Sequence, residues 1–238
     1  AYYSDCMLTF AKVRSKLNGK RTVDEIKKNP DSEIRDKMFA SYCIVSSKSL
    51  DKPARDSLFG IVSDEISNPV LLDFVMNYKQ RSGTGASVYN FSLPDINGKL
   101  VNLSDFKGKV VFVDFWFVGC ANCSVYHQNI VKPVKQYYKG KDDVVFVTIS
   151  VDRDRGKWIE AVKSGQYTTE QAINLQCPDG NKNPVIKQFN IIGFPQPLII
   201  DREGLVFSDS AMELRDSGSE GLIKNIELAR KSKTGIAN

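Results

Sequence analysis

Apolar positions along this chain change their period once, near residue 85. Before that point they recur every three or four residues, the spacing of one helical face. Thr22-Val-Asp-Glu25 reads as a capping box, with Ile26 following and Asn29-Pro30 stopping the helix. Asp31 or Ser32 caps a second helix whose apolar side is Ile34, Met38, Tyr42 and Val45. Asp51 to Pro53 starts a third, with Leu58, Ile61, Val62 and Ile66 at helical spacing. Asn68-Pro69 offers an N-cap and a proline at the first helical position, ahead of Leu71, Leu72, Val75 and Tyr78. The pattern predicts a small all-helical domain over residues 1–81.

Residues 82–87, the core of the polar glycine-bearing stretch Arg81 to Ser87, read as a linker. Beyond it, over 88–238, the apolar runs shorten and become β-branched. Ile96-Asn-Gly-Lys99 marks a hairpin turn between short extended runs. Val110 to Phe117 is a buried strand, followed from about residue 121 by a helix that Pro133 kinks or shortens. Val144 to Val151 is a second strand and 155–164 a helix carrying Trp158, Ile159 and Val162. A long polar loop runs through Cys177. Pro197 to Asp201 and Leu205 to Phe207 form a strand pair, and a last helix spans about 219–231. This order predicts an α/β fold, a mixed sheet flanked by helices.

Composition narrows the function classes. Of 238 residues, 33 are basic and 28 acidic, dispersed with no basic block interleaved with aromatics, which argues against nucleic acid. No apolar run reaches the roughly 18–20 residues of a membrane span. The chain begins at Ala1 with no signal-like segment after it, which reads as a processed or trimmed N-terminus.

Candidate chemistry lies where the first long strand ends. Val113-Asp-Phe-Trp-Phe-Val-Gly-Cys120-Ala-Asn-Cys123 delivers two cysteines through a glycine turn to the first turn of a helix. Unsatisfied N–H groups and the dipole there favour the reactive thiolate. Two thiols so spaced can exchange a disulfide with a partner and then close on each other. The competing reading, half of a zinc site, lacks ligands: His127 is the one histidine, and no second Cys-x-x-Cys exists. His127 itself reads as a lone surface residue of the helix. Cys6 and Cys43 are either a disulfide staple or two buried small residues, and Cys177 is a spare thiol.

Phe91-Ser-Leu-Pro-Asp-Ile-Asn-Gly-Lys99, Leu103 to Val110, the Asp-Phe-Trp…Cys-x-x-Cys segment, Ile149-Ser-Val-Asp152, Gly193-Phe-Pro195 and Leu198 to Gly204 together resemble thioredoxin-fold proteins of the TlpA/ResA-like group. The likeness covers residues 88–230 and leaves the helical segment aside. It implies a thiol–disulfide oxidoreductase, of the kind that reduces protein disulfides, using no cofactor or metal beyond its own cysteines. By the same resemblance Cys120 is the nucleophile, Cys123 the resolving thiol and Asp114 the buried acid that accepts its proton. Pro195 would be a cis-proline and, with Phe194 and Trp116, part of the substrate platform. Partners would be protein thiols or disulfides and an upstream electron donor, in a periplasmic or envelope-associated bacterial setting, with tethering through a segment ahead of Ala1.

The sequence departs from the group at informative places. Gly119 stands where a tryptophan usually precedes the first cysteine, and Tyr126 where reductases of the ResA type carry a glutamate. The dipeptide Ala121-Asn122 is neither Gly-Pro nor a histidine-bearing pair. Three other readings stay open: a peroxiredoxin, which lacks its Thr-x-x-Cys context here; a Sco-type metallochaperone, for which His127 is misplaced; and a partner-binding module with a redox-sensing pair.

Overall fold

In the computed structural model the described residues are 2–19, 21–47, 50, 52–81, 83–169, 172–189, 191, 193–210 and 212–232. Two compact units divide the chain, residues 1–80 and 81–238.

The first unit is helical among the described residues: α1 (Tyr2–Asn18), α2 (Thr22–Ile26), α3 (Ser32–Ser47), α4 (Lys52–Glu65) and α5 (Pro69–Arg81). Its core joins Ile26, Met38, Phe39, Cys43, Phe59, Val62 and Val75, all buried. Asp31 caps α3 by accepting the Ile34 N–H at 3.0 Å, and Asn68 caps α5 through the N–H groups of Val70 and Leu71. Asp36 is buried on α3 and accepts from the N–H groups of Ser67 and Asn68 at 3.0 and 2.7 Å, which fixes the α4–α5 turn.

Two sequence expectations need correction here. Thr22 is not the cap of α2; Arg21 holds that position without a side-chain cap bond, and the Thr22 hydroxyl instead meets that of Ser15. Val45 is exposed, because the buried stripe of α3 runs through Met38, Phe39 and Cys43; Ile34 and Tyr42 pack against that core as expected. The expected helix start at Asp51 and the linker residue Ser82 lie outside the described residues.

In the second unit, β1 (Ser92–Pro94) and β2 (Leu100–Asn102) form an antiparallel hairpin. The Asp95 carboxylate closes its turn by accepting the N–H groups of Asn97 and Lys99, and Gly98 supplies the positive φ of +84°. Five further strands form one mixed sheet in the order β5-β4-β3-β6-β7. β3 (Val110–Trp116) is central. It runs parallel to β4 (Val144–Ser150) and antiparallel to β6 (Gln196–Ile200), while β5 (Ile173–Gln176) and β7 (Val206–Ser208) form the edges.

Between the strands lie α6 (Ala121–Tyr126), a π-turn (His127–Val131), α7 (Lys132–Tyr137), α8 (Arg155–Ser164) and α9 (Pro184–Gln188), and α10 (Gly218–Lys231) follows the last strand. Alternation along β3 separates two cores. Val111, Val113 and Phe115 pack with Leu93, Ile149, Ile186 and Leu198 on one face. Val110 and Phe112 pack with Val134, Ile199, Leu222 and Ile226 on the other. The α/β architecture read from the sequence is therefore present: a mixed sheet with helical cover on both faces, preceded by helices.

The stretch expected to be a polar loop contains a strand. Ile173–Gln176 pairs with β4 from Val147 to Ser150. Its polar side chains are satisfied rather than solvated: Asn174 Oδ1 accepts from the hydroxyls of Thr148 and Thr168 at 2.9 and 2.7 Å. Pro133 does not end the helix, which runs on through a π-turn into α7. The proline has no N–H to donate and its ring crowds a preceding carbonyl, which fits the widening just before it.

Candidate active site

Because β3 and β4 are parallel with Trp116 opposite Ser150, both strands end at the same edge of the sheet. The chain turns there over Phe117, Val118 and Gly119, and three consecutive N–H groups each find an acceptor. Val118 donates to the Asp152 carboxylate at 2.8 Å, Gly119 to the Tyr167 hydroxyl at 3.0 Å, and Cys120 to the Phe117 carbonyl at 3.2 Å. The Ser150 hydroxyl steadies Asp152 at 2.7 Å. Gly119 sits at φ +92°, a conformation that penalises any side chain. That explains glycine here in place of the tryptophan usual in the resembling group.

Cys120 is the N-cap of α6, and its Sγ accepts the Cys123 N–H at 3.1 Å. The two cysteines form a disulfide with Cα atoms 5.2 Å apart. Cys120 keeps 6% of its surface exposed and Cys123 only 1%, so Cys120 is the more accessible of the two. Trp116, Trp158, Val162 and Tyr167 wall the pair, with Phe194 packed against the same cluster. Trp116 stacks on Tyr167 with ring centres 5.0 Å apart, and Phe194 meets Phe117 edge-on at 5.3 Å. The Phe194–Pro195 peptide bond is cis, and Pro195 is buried.

Asp114 lies on β3 on the same face as Phe112 and Trp116, opposite Thr148 on one side and Pro197 on the other. It is 1% exposed, and its Oδ1 has no hydrogen-bond partner. Burial disfavours the carboxylate and pushes its pKa up to about 8. At neutral pH this acid is mostly protonated, and it releases and rebinds a proton in the range where thiols do.

The remaining candidates resolve differently. His127 is buried, not on the surface, with both ring nitrogens unpartnered; desolvation and the neighbouring Lys135 and Lys132 lower its pKa to about 4. It follows the buried Cys123 by one helical turn, on the same inward face. Tyr126 is a strut, its buried hydroxyl donating to the Leu214 carbonyl at 2.8 Å. Cys6, Cys43 and Cys177 are free thiols, so Cys6 and Cys43 are not stapled; burial raises Cys43 and Cys177 to about 12. Among the described residues no three His, Cys, Asp or Glu side chains cluster as metal ligands.

Two residues of this site escaped the sequence reading as functional. Asp152 was visible within Ile149-Ser-Val-Asp152 but had no assigned role, whereas Tyr167 carries no sequence signal at all. It reaches Gly119 from beyond α8.

Residues 108–206 match the family model described as thioredoxin-like. A thiol-disulfide oxidoreductase ResA of Bacillus thuringiensis subsp. konkukian is 27% identical over 148 residues, covering 62% of this chain and 81% of the relative. The protein has a TlpA/ResA-like thioredoxin fold. Among solved structures, the thioredoxin domain of a thiol-disulfide oxidoreductase from Bacteroides vulgatus is 26% identical with a TM-score of 0.51, covering 61% of this chain and 96% of that one. A thiol:disulfide interchange protein from Bacteroides sp. is 28% identical with a TM-score of 0.53, covering 66% of this chain and 97% of that one. These TlpA/ResA-like relatives and the Cys120–Cys123 pair make this protein a thiol–disulfide oxidoreductase.

Proposed function

We propose that the protein reduces disulfides of other proteins in an extracytoplasmic bacterial compartment, and is itself re-reduced by an upstream dithiol donor. The observation that carries the direction is the sparse support for a Cys120 thiolate. Its Sγ, held in a disulfide here, accepts one hydrogen bond among the described residues, from the Cys123 N–H. The pair is walled by Trp116, Trp158, Val162 and Tyr167, which leaves the α6 N-terminus as the main support of a thiolate. A thiolate held weakly leaves the reduced form less stable, and a dithiol of that kind gives its electrons away.

In the proposed cycle the Cys120 thiolate attacks one sulfur of the substrate disulfide. The substrate S–S bond breaks, one substrate sulfur leaves as thiolate and takes up a proton, and a mixed disulfide remains. Cys123 then loses its proton to the Asp114 carboxylate and attacks the Cys120 sulfur. The second substrate thiolate departs, two electrons have passed to the substrate, and the Cys120–Cys123 disulfide is restored for the donor. Pro195, Phe194 and Trp116 form the platform on which an extended substrate segment lies. The cis bond before Pro195 and the contact of Phe194 with the cysteine cluster support that placement. The location rests on the resemblance to TlpA/ResA-like proteins.

A redox titration of the pair against glutathione tests the direction. A potential near thioredoxin's, about −270 mV, is expected; one near about −120 mV belongs to an oxidant and would reverse the proposal.

A further inference from the structure

At the pole of the sheet opposite the cysteines there is an open cleft of about 640 Å³. Lys109 enters it just ahead of β3, Lys132, Lys135 and Lys139 from α7 and the turn after it, and Lys141 from just before β4. Asp142 is the one acidic residue in its lining. Among the described residues none of the five lysines has a carboxylate within ion-pair distance, whereas Asp143 next door is engaged by Arg202 and Arg230 at 3.0 and 2.9 Å. Asp143 is thus committed elsewhere; Lys141 lies over the Tyr137 and Tyr138 rings at 4.0 and 4.7 Å, and Lys109, Lys132, Lys135 and Lys139 share a lining with a single acid, Asp142.

The lysines are arranged over an apolar floor. Val145, Phe146, Ile173 and the ring of Tyr138 line the cleft beneath them. Lys135 is partly sunk into this floor; its ammonium donates to the Thr169 hydroxyl at 2.8 Å, and burial lowers its pKa to about 8. A lysine in such a place gains from an anion that restores its lost hydration. The volume falls in the range of small-molecule sites, roughly 300–1,000 Å³. A flat anionic surface would reach the exposed lysines but not the concave floor.

We propose that this cleft is a binding site for a small amphipathic anion, an apolar or aromatic body bearing more than one phosphate, sulfonate or carboxylate group. Lys132, Lys135 and Lys139 hold the anionic groups, and Phe146 with Ile173 receives the body. The site is independent of the disulfide chemistry. β3 spans its seven residues between the cleft and the Cys120 turn, a separation of roughly 20 Å.

The probe is bis-anilinonaphthalene sulfonate, an aromatic dianion, with uncharged N-phenyl-1-naphthylamine as its counterpart, each titrated into the full chain with amide chemical shifts recorded. The dianion is expected to shift amides within 132–146 and 169–173, and the neutral analogue to bind at least tenfold more weakly. Lys135→Ala and Lys139→Ala should each weaken the dianion about tenfold, the scale of one charged hydrogen bond, while insulin-disulfide reduction stays intact. Shifts confined to Phe117, Phe194 and the cysteine turn, or equal binding of both dyes, would overturn the proposal. So would binding to phosphatidylglycerol vesicles with none to the soluble dianion, which would make the lysines a membrane-facing patch. Loss of reductase activity in Cys120→Ser with dye binding retained would separate the two sites.

Discussion

The Gly119 N–H donates to the Tyr167 hydroxyl at 3.0 Å across 48 residues of sequence, while the Tyr167 ring stacks on Trp116. One side chain therefore clamps both the end of β3 and the turn that presents Cys120. Tyr167→Phe keeps the stack and removes the acceptor, and is expected to cost about 1 kcal/mol in denaturant unfolding. Tyr167→Ala loses both and should cost about 3 kcal/mol. Equal losses for the two variants would mean that the hydroxyl contributes nothing.

What the sequence disclosed of this site, and what it hid, follows from the range of each interaction. β3 is legible because a continuous apolar run is its own signal, and the cysteine turn because glycine and cysteine spacing are local. β5 was hidden because its Asn174 and Gln176 are satisfied by side-chain bonds, to the Thr168 hydroxyl and the Asp152 carbonyl, that no periodicity records. Tyr167 was hidden because its partners arrive by parallel pairing of strands distant in sequence. His127 was misjudged because its polarity was weighed over its position: it follows the buried Cys123 by four residues, on the same face of a 3.6-residue helix.

The roles proposed for the cysteines separate in single variants. Cys120→Ser should abolish insulin-disulfide reduction, whereas Cys123→Ser should accumulate mixed disulfides visible by non-reducing electrophoresis and mass spectrometry. Full turnover by Cys120→Ser would end that assignment.

In the proposed cycle Asp114 links resolution to pH. With its pKa near 8, about a tenth is ionised at pH 7, so the second step should accelerate as pH rises toward 8. Asp114→Asn should flatten that limb of the profile and slow resolution several-fold. Stability moves the other way. Between pH 4 and 8 the folded chain holds a proton on Asp114 that the unfolded chain has released, so stability declines across this window. Asp114→Asn should abolish this decline, on the order of a few kcal/mol by pH 8 in urea unfolding. An unaltered profile in both assays would leave Asp114 a packing residue.

His127 produces the opposite dependence. Its folded pKa of about 4 lies below the ordinary value of 6.5, so its contribution is complete above pH 6.5 and is lost as pH falls toward 4. His127→Leu, an apolar side chain for two unpartnered nitrogens, should unfold less readily at pH 4.5 than the parent. Identical acid sensitivity would place the effect in other groups.

In the helical unit, Asp36→Ala removes the acceptor of two N–H groups at the α4–α5 turn. A loss of about 2–3 kcal/mol is expected, seen in the unfolding of residues 1–80 when followed by circular dichroism. A midpoint shift in the thioredoxin-like unit alone would contradict this.

β3 has a hydrogen-bonded neighbour along both edges. Its amides should therefore exchange with solvent deuterium only when the whole unit opens, unlike those of the edge strands β5 and β7. The cysteines hang from the end of that last-opening strand. Fraying of the sheet margins then leaves their surroundings unchanged, and their electron affinity belongs to the intact block and not to a fluctuating part of it.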